Sequence, residues 1–263
     1  MTRPILVTGG SGTLGRAVVR RLLDLGHPVR ALTRQGSRPG PVEWFTGDLT
    51  TGTGLERALD GAGVVLHCAS DPRRPRDDVE GTARLVEVAR RGGASRLVYI
   101  SIVGVDRIPF GYYRAKLQAE RVFEESALPW TILRATQFHD LVLGFVRQLA
   151  RLPVLPVPAG IRVQPVDAGE VAGRLVELAT GGPLGRAPDF GGPEAREVGD
   201  LARAYLRVAG GRRPVLALPV PGRAARALRD GAGLVPAAGG HRTWDEFLAE
   251  RFAVAPAAAE VGR

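Results

Sequence analysis

The stretch ILVTGGSGTLGRAVVRRLLDLG, residues 5–26, decides how the rest of the chain is read. Ile5 to Thr8 form a short apolar, β-favouring run, and beyond it Leu14, Val18, Leu22 and Leu25 recur at the spacing of one helix face. Between them lie Gly9, Gly12 and Gly15. Glycines at such a junction let the chain turn sharply and let bare backbone approach a phosphate, which the helix N-terminus then holds. In a chain with 35 glycines the spacing alone says little. Its position, strand before and helix after, carries the signal. It predicts a dinucleotide pyrophosphate site built from Gly9, Gly10, Ser11, Gly12, Thr13, Leu14 and Gly15.

Outward from this turn the alternation continues. PVRALT and VEWF read as strands, GLERALDG as a short helix and GVVLHCA as a buried strand. The helix DVEGTARLVEVARRGG, the strand RLVYIS, the helix YYRAKLQAERVFEES and the strand WTILRA follow. Continuously apolar strands alternating with helices predict a parallel sheet covered on both faces. The expected fold is α/β: a Rossmann-type doubly wound parallel sheet over residues 1–136, then a smaller C-terminal α+β substrate lobe over residues 137–263, interleaved with the sheet edge. In that second part prolines are frequent, the helices AGEVAGRLVELA and VGDLARAYLRVAG are separated by Gly-Pro stretches, and the tail PAAAEVGR reads as frayed.

Composition narrows the function classes. A chain of 263 residues that is 44% hydrophobic is of ordinary globular composition, and no apolar run reaches the roughly 18 residues of a membrane span. A single cysteine, Cys68, excludes an intramolecular disulfide and, with an N-terminus lacking a signal-peptide pattern, points to the cytoplasm. Its apolar neighbours suggest a buried structural thiol. The net charge of +9 is spread over scattered arginine doublets, without the basic-aromatic interleaving of a nucleic-acid surface. Four histidines and one cysteine are too dispersed for a metal site. The expected partner is a small molecule, and the oligomeric state is left open.

Cofactor choice is legible at the end of the second strand. Thr33 stands where an NAD-binding site carries an acid, and Arg34 and Arg38 follow, which favours NADP(H) over NAD(H). After the third strand, Asp48, followed by Leu49, could receive the adenine amino group or simply cap its own turn. Substrate is expected at the carboxyl ends of the strands, beside Ile102 after the fifth and Thr136, Phe138 and His139 after the sixth. Lys116 is the only lysine in the chain; all its other basic charges are arginine. Tyr112 lies one helical turn before it, on the same face.

The motifs TGGSGTLG, GDLT, DDVEGTARLVEVA, RLVYIS and YYRAK, in this order, resemble the short-chain dehydrogenase/reductase superfamily, in particular its atypical branch of NmrA-like and quinone-reductase-like NAD(P)H-binding members. The resemblance implies that Tyr112 donates a proton, that Lys116 lowers the tyrosine pKa and holds the nicotinamide ribose, and that Cys68, Ala69 and Ser70 line the adenosine side. Ser101 matches the first serine of the family's pair, whereas Ile102 occupies the place of the second. The chain contains no asparagine, and Asp78 stands where extended members often carry one. The function implied is an NADPH-dependent oxidoreductase of a small carbonyl or quinone-like substrate. One alternative is an NADP(H)-binding sensor of NmrA type that regulates a protein partner without turnover. Another is a nucleotide-sugar epimerase or dehydratase, for which the short second lobe offers little room.

Overall fold

A computed structural model of the chain describes residues 3–36 and 39–253. In chain order the elements are β1 (Ile5–Thr8), α1 (Thr13–Asp24), β2 (Val29–Thr33), β3 (Glu43–Thr46), α2 (Leu55–Leu59), β4 (Val64–His67) and α3 (Pro75–Arg91). Then follow β5 (Arg96–Ile102), α4 (Gly111–Glu124), β6 (Trp130–Ala135), α5 (His139–Leu149), β7 (Leu155–Pro158), β8 (Arg162–Val163) and α6 (Ala168–Thr180). The chain closes with β9 (Gly185–Arg186), β10 (Arg196–Glu197), α7 (Val198–Val208), β11 (Val215–Leu218), α8 (Arg223–Arg229) and α9 (Trp244–Ala253). The tail PAAAEVGR and Arg38 lie outside the described residues.

Two compact units emerge. The first comprises the chain up to Ala135 together with Ala168–Phe190. Its sheet has seven strands in the order β3-β2-β1-β4-β5-β6-β9, and every pairing is parallel. All four residues of β1 and of β4 are buried, as strands covered on both faces must be. Leu6, Val65, Leu97, Tyr99 and Ile132 pack with Leu55, Leu85 and Phe123 of α2, α3 and α4. Helices α1 and α6 pack against each other and against β1, β2, β5 and β6. This is the doubly wound sheet expected from the alternation. The strand order reverses between β1 and β4, which places a ligand crevice at their carboxyl ends.

The second unit holds Thr136–Asp167 and the residues from Gly191 on. It contains a parallel pair, β7 with β11, and an antiparallel pair, β8 with β10. Its core gathers Val146, Leu155, Leu201, Trp244, Phe247 and Leu248. The Trp244 indole N–H donates to the Leu201 carbonyl at 3.1 Å.

The first stretch of the first unit ends at Ala135, and the chain returns to that unit at Ala168. The sequence places AGEVAGRLVELA in the second lobe, whereas as α6 it belongs to the first unit, and β9 extends the sheet beside β6. The physical reason is coverage: Val171, Ala172, Leu175, Val176 and Ala179 of α6 are buried in the layer that α6 forms with α1. Among the described residues no helix is long and apolar enough to cross a membrane.

Candidate active site and dinucleotide cleft

The turn between β1 and α1 is built from close backbone approaches. Gly9 has φ +69°, and a Cβ there would lie 2.7 Å from the Ala69 nitrogen. A Cβ on Gly15 would lie 2.0 Å from the Gly9 carbonyl oxygen, so only glycine lets α1 start this close under the turn. The Gly12 N–H donates to the Gly9 carbonyl at 2.9 Å. No side chain caps the N-terminus of α1, and its first turn carries no acid. Its N–H groups and the positive end of the helix dipole are therefore open to an anion. Leu14 is buried, so its contribution to such a site is its backbone.

A cleft runs from this turn along the ends of β2, β3 and β4. Gly9, Ser11, Gly12, Thr33, Arg34, Asp48, Leu49, Cys68, Ala69 and Ser70 all line it. Thr33 is buried and its hydroxyl accepts the Gln35 N–H at 3.1 Å, so no carboxylate stands at the end of β2, while Arg34 is exposed beside it. Asp48 receives the Thr50 N–H at 2.8 Å, which is the turn-capping alternative, and it also faces the cleft. Burial pushes the Cys68 thiol up to about 12, leaving a protonated, unreactive sulfur in the cleft wall. The cleft also takes in Asp71, Arg74, Asp77, Asp78 and Gly81 from the start of α3 and the loop before it. Of these the sequence had singled out only Asp78.

At the end of the cleft stands Tyr112, in the first turn of α4. Its hydroxyl lies 2.7 Å from the Ser70 hydroxyl. Ser70 in turn donates to Asp78 Oδ2 at 2.5 Å, and Asp78 Oδ1 accepts the Asp71 N–H at 2.7 Å. Burial, partly offset by the Ser70 hydrogen bond and reinforced by the Asp78 charge, pushes the Tyr112 phenol up to about 12. This reverses the expected lowering by Lys116. The lysine, 3% exposed, donates instead to the Ile100 carbonyl at 2.8 Å and lies 4.3 Å from the centre of the Tyr99 ring. Burial brings its own pKa down to about 8, against the opposing pull of Asp78, Cys68 and Glu120.

Ser101 is buried on the α4 side of β5. Its hydroxyl helps hold the Glu120 carboxyl below the usual range but makes no hydrogen bond of ordinary length and angle. Glu120 itself, fully buried, takes a two-pronged grip from Arg134 at 2.8 and 2.7 Å and a third bond from Arg186 at 2.8 Å. The clamp ties α4, and with it Tyr112 and Lys116, to β6 and β9. Sequence reading missed Glu120, since a glutamate on a helix normally reads as a solvated charge.

His67 is a structural residue, as expected from its buried strand. Thr82 gives its hydroxyl proton to the Asp78 carbonyl at 2.7 Å, so it accepts from His67 Nε2 at 3.2 Å. His67 Nδ1 then accepts from the Thr8 hydroxyl at 2.6 Å, which itself accepts the Ala69 N–H at 3.3 Å. Burial first, and the Lys116 charge second, bring the imidazole down to about 3. The chain joins the ends of β1 and β4 to the start of α3.

The residues expected beside the substrate are distributed differently. Ile102, half-buried, ends β5 opposite Ala135. Thr136, Phe138 and His139 belong to the second unit. The Thr136 hydroxyl is buried and donates to the Gln164 carbonyl at 2.5 Å, and Phe138 bridges to Val166. His139 has no exposed surface and stacks at 4.9 Å on Phe247 and at 5.8 Å beside Trp244. Helix α5 begins at His139 and turns its ring into the second unit's core, which does not fit the expected substrate contact.

Comparison with known proteins agrees with the cleft. A sequence profile described as NAD(P)H-binding matches residues 9–144. The chain is 32% identical over 214 residues to (4-alkanoyl-5-oxo-2,5-dihydrofuran-3-yl)methyl phosphate reductase of Streptomyces griseus, covering 78% of this chain and 74% of that one. It is 33% identical over 179 residues to an uncharacterized protein of Mycobacterium tuberculosis; these are 66% of this chain but only 20% of the length of that relative. In fold it is similar to the NADPH-dependent quinone oxidoreductase QOR2 of Escherichia coli, solved with NADPH, with a TM-score of 0.79 at 18% identity, covering 94% of this chain and 99% of that one.

Proposed function

The chain belongs to the NAD(P)H-binding family, and from that premise we propose that it is an oxidoreductase reducing a small carbonyl or quinone-like substrate, with Tyr112 as the proton donor. The observation that carries the reading is the Tyr112 hydroxyl, 2.7 Å from Ser70 on the wall of the dinucleotide cleft. A phenol is thereby held beside a cleft in which glycine backbone would cradle the pyrophosphate of a nicotinamide cofactor. When bound, the reduced cofactor supplies a hydride. The backbone of Gly9 to Gly15 and the start of α1 hold its pyrophosphate. Arg34, with no carboxylate at the end of β2, takes a 2′-phosphate, so NADP(H) is preferred to NAD(H). Tyr112 gives its proton to the substrate oxygen as negative charge gathers there. Lys116 has donors beyond the one spent on Ile100 and keeps a positive charge in the interior, over the ring of Tyr99.

A second reading, a cofactor-dependent regulator without turnover, is favoured by Ser101, whose buried hydroxyl makes no hydrogen bond of ordinary length and angle to the tyrosine. Oxidation of NADPH, followed by absorbance against panels of quinones and carbonyls, separates the two. In a reductase, Tyr112→Phe lowers turnover by roughly 10² to 10⁴ while cofactor affinity, read by tryptophan fluorescence, stays in place. In a regulator that substitution is silent. In the same titrations Arg34→Ala weakens NADPH by about tenfold to a hundredfold and leaves NADH binding unchanged.

A further inference from the structure

We propose that Asp78, acting through Ser70, is the positioning residue that orients and restores the proton on Tyr112. Its catalytic consequence rests on the reductase reading above; the hydrogen-bonded chain itself is testable without a substrate. Ser70 has a single hydroxyl proton, and it is committed to Asp78 Oδ2 at 2.5 Å. The 2.7 Å contact between Ser70 and Tyr112 is therefore one in which the tyrosine donates. Asp78 is itself fixed, since its other oxygen holds the Asp71 N–H at 2.7 Å, and it sits in the first turn of α3, where the helix dipole favours a carboxylate.

Neither of the residues the family resemblance assigns to the tyrosine takes this place. Lys116 is bound to the Ile100 carbonyl, and Ser101 is buried toward Glu120. The groups that act on the Tyr112 charge are Ser70, Asp78 from α3, Asp71 from the loop before it and Tyr113 from α4. After the phenol O–H bond has broken and its proton has joined the substrate oxygen, the phenolate faces a carboxylate two hydrogen bonds away. Protons then shift one place along the chain. Asp78 takes one from solvent and passes it to the Ser70 oxygen, and the proton Ser70 already carried goes to the phenolate. One solvent proton is consumed, no electrons move, and all three residues return to their starting state. Ser70 is exposed, so the chain opens to water.

The test places 3-fluorotyrosine at position 112 of the full chain, so that its fluorine resonance reports phenol ionisation at that residue alone. Asp78→Asn should move the midpoint to lower pH by about one unit, a tenfold change in the ionisation constant, because a charge that opposes the phenolate is gone. Ser70→Ala should move it to higher pH, because on ionisation the Ser70 hydroxyl turns from Asp78 to the phenolate, and that donor is lost. Asp78→Glu, restoring the charge, should bring it back toward the original value, with circular dichroism confirming that each variant is folded. A purely structural role would move all variants alike or none. Absent shifts, or shifts of one sign, overturn the relay even if Tyr112→Phe abolishes turnover. Opposite shifts uphold it, and if Tyr112→Phe then leaves turnover intact, it is the reductase reading that fails.

Discussion

His67 in the first unit and His139 in the second are the same residue type, both almost without exposed surface, and both are held neutral by burial. Their surroundings differ completely. Both ring nitrogens of His67 are engaged, in a chain of hydrogen bonds that reaches the cleft wall at Ala69 and the backbone of Asp78. His139 lies against Phe247 and Trp244, and neither of its nitrogens makes a hydrogen bond of ordinary length and angle. The difference is general. The buried charges Lys116 and Glu120 lie in the first unit with His67, whereas the buried polar residues described in the second unit, Thr136, Gln164 and His139, carry no charge. Connectivity to the cleft, more than residue type or burial, marks where a polar side chain has work to do.

The contrast is broken or sharpened most strongly at Glu120. Removing its carboxylate leaves the half-buried Arg134 with the more exposed Asp106 as its remaining carboxylate partner, so Glu120→Ala should cost about 3 kcal/mol of stability in urea unfolding. A loss below 1 kcal/mol would mean that the polar interior of the first unit is not structural. Next come the histidines themselves. His67→Phe strands a buried donor at Thr8 and should cost about 1–3 kcal/mol, while His139→Phe, which extends an existing aromatic cluster, should change stability by less than about 1 kcal/mol. Equal costs would remove the distinction.

The smallest effect per increment is in acid. Both imidazoles have folded pKa values, about 3 and about 4, below the ordinary 6.5, so the unfolded chain binds their protons first. Their stability contribution is complete above pH 6.5 and falls as the pH drops toward 4 for His139 and 3 for His67, by about 1.4 kcal/mol per pH unit for each. Each Phe variant should flatten that slope by its own share in urea midpoints measured between pH 6.5 and 4.5. Here the two sites should behave alike, because burial is the first cause in both.

What the sequence made legible was local. The apolar runs of β1, β4 and β5, the helical spacing of α1 and the glycine turn are each contained in one short stretch of chain, and periodicity finds such features. Tyr112 and Lys116 share a helix face for the same reason. Ser70 and Tyr112 are 42 residues apart, and His139 and its ring partners are about a hundred apart, so only the folded chain brings them together. The two residues of β9 have no pattern of their own; pairing with β6 makes them a strand. The expected lowering of the Tyr112 pKa by Lys116 is not found, because spacing fixes a face but not which acceptor on it a flexible ammonium will choose.

The return of α6 and β9 to the first sheet has a consequence for how such a chain can be divided and recombined. The described residues that line the cleft all precede Ala135, so a gene fragment ending there would encode the whole of that lining. It would nevertheless lack the helix that packs on α1, leaving that side of α1 uncovered. Any exchange of the second unit between homologous genes must therefore replace two separate stretches, 136–167 and the residues from 191 on, and leave the segment between them with the recipient. Exchange of the second unit is thus a three-junction event, at 135/136, 167/168 and 190/191, and a single crossover would carry the donor's α6 and β9 along with it.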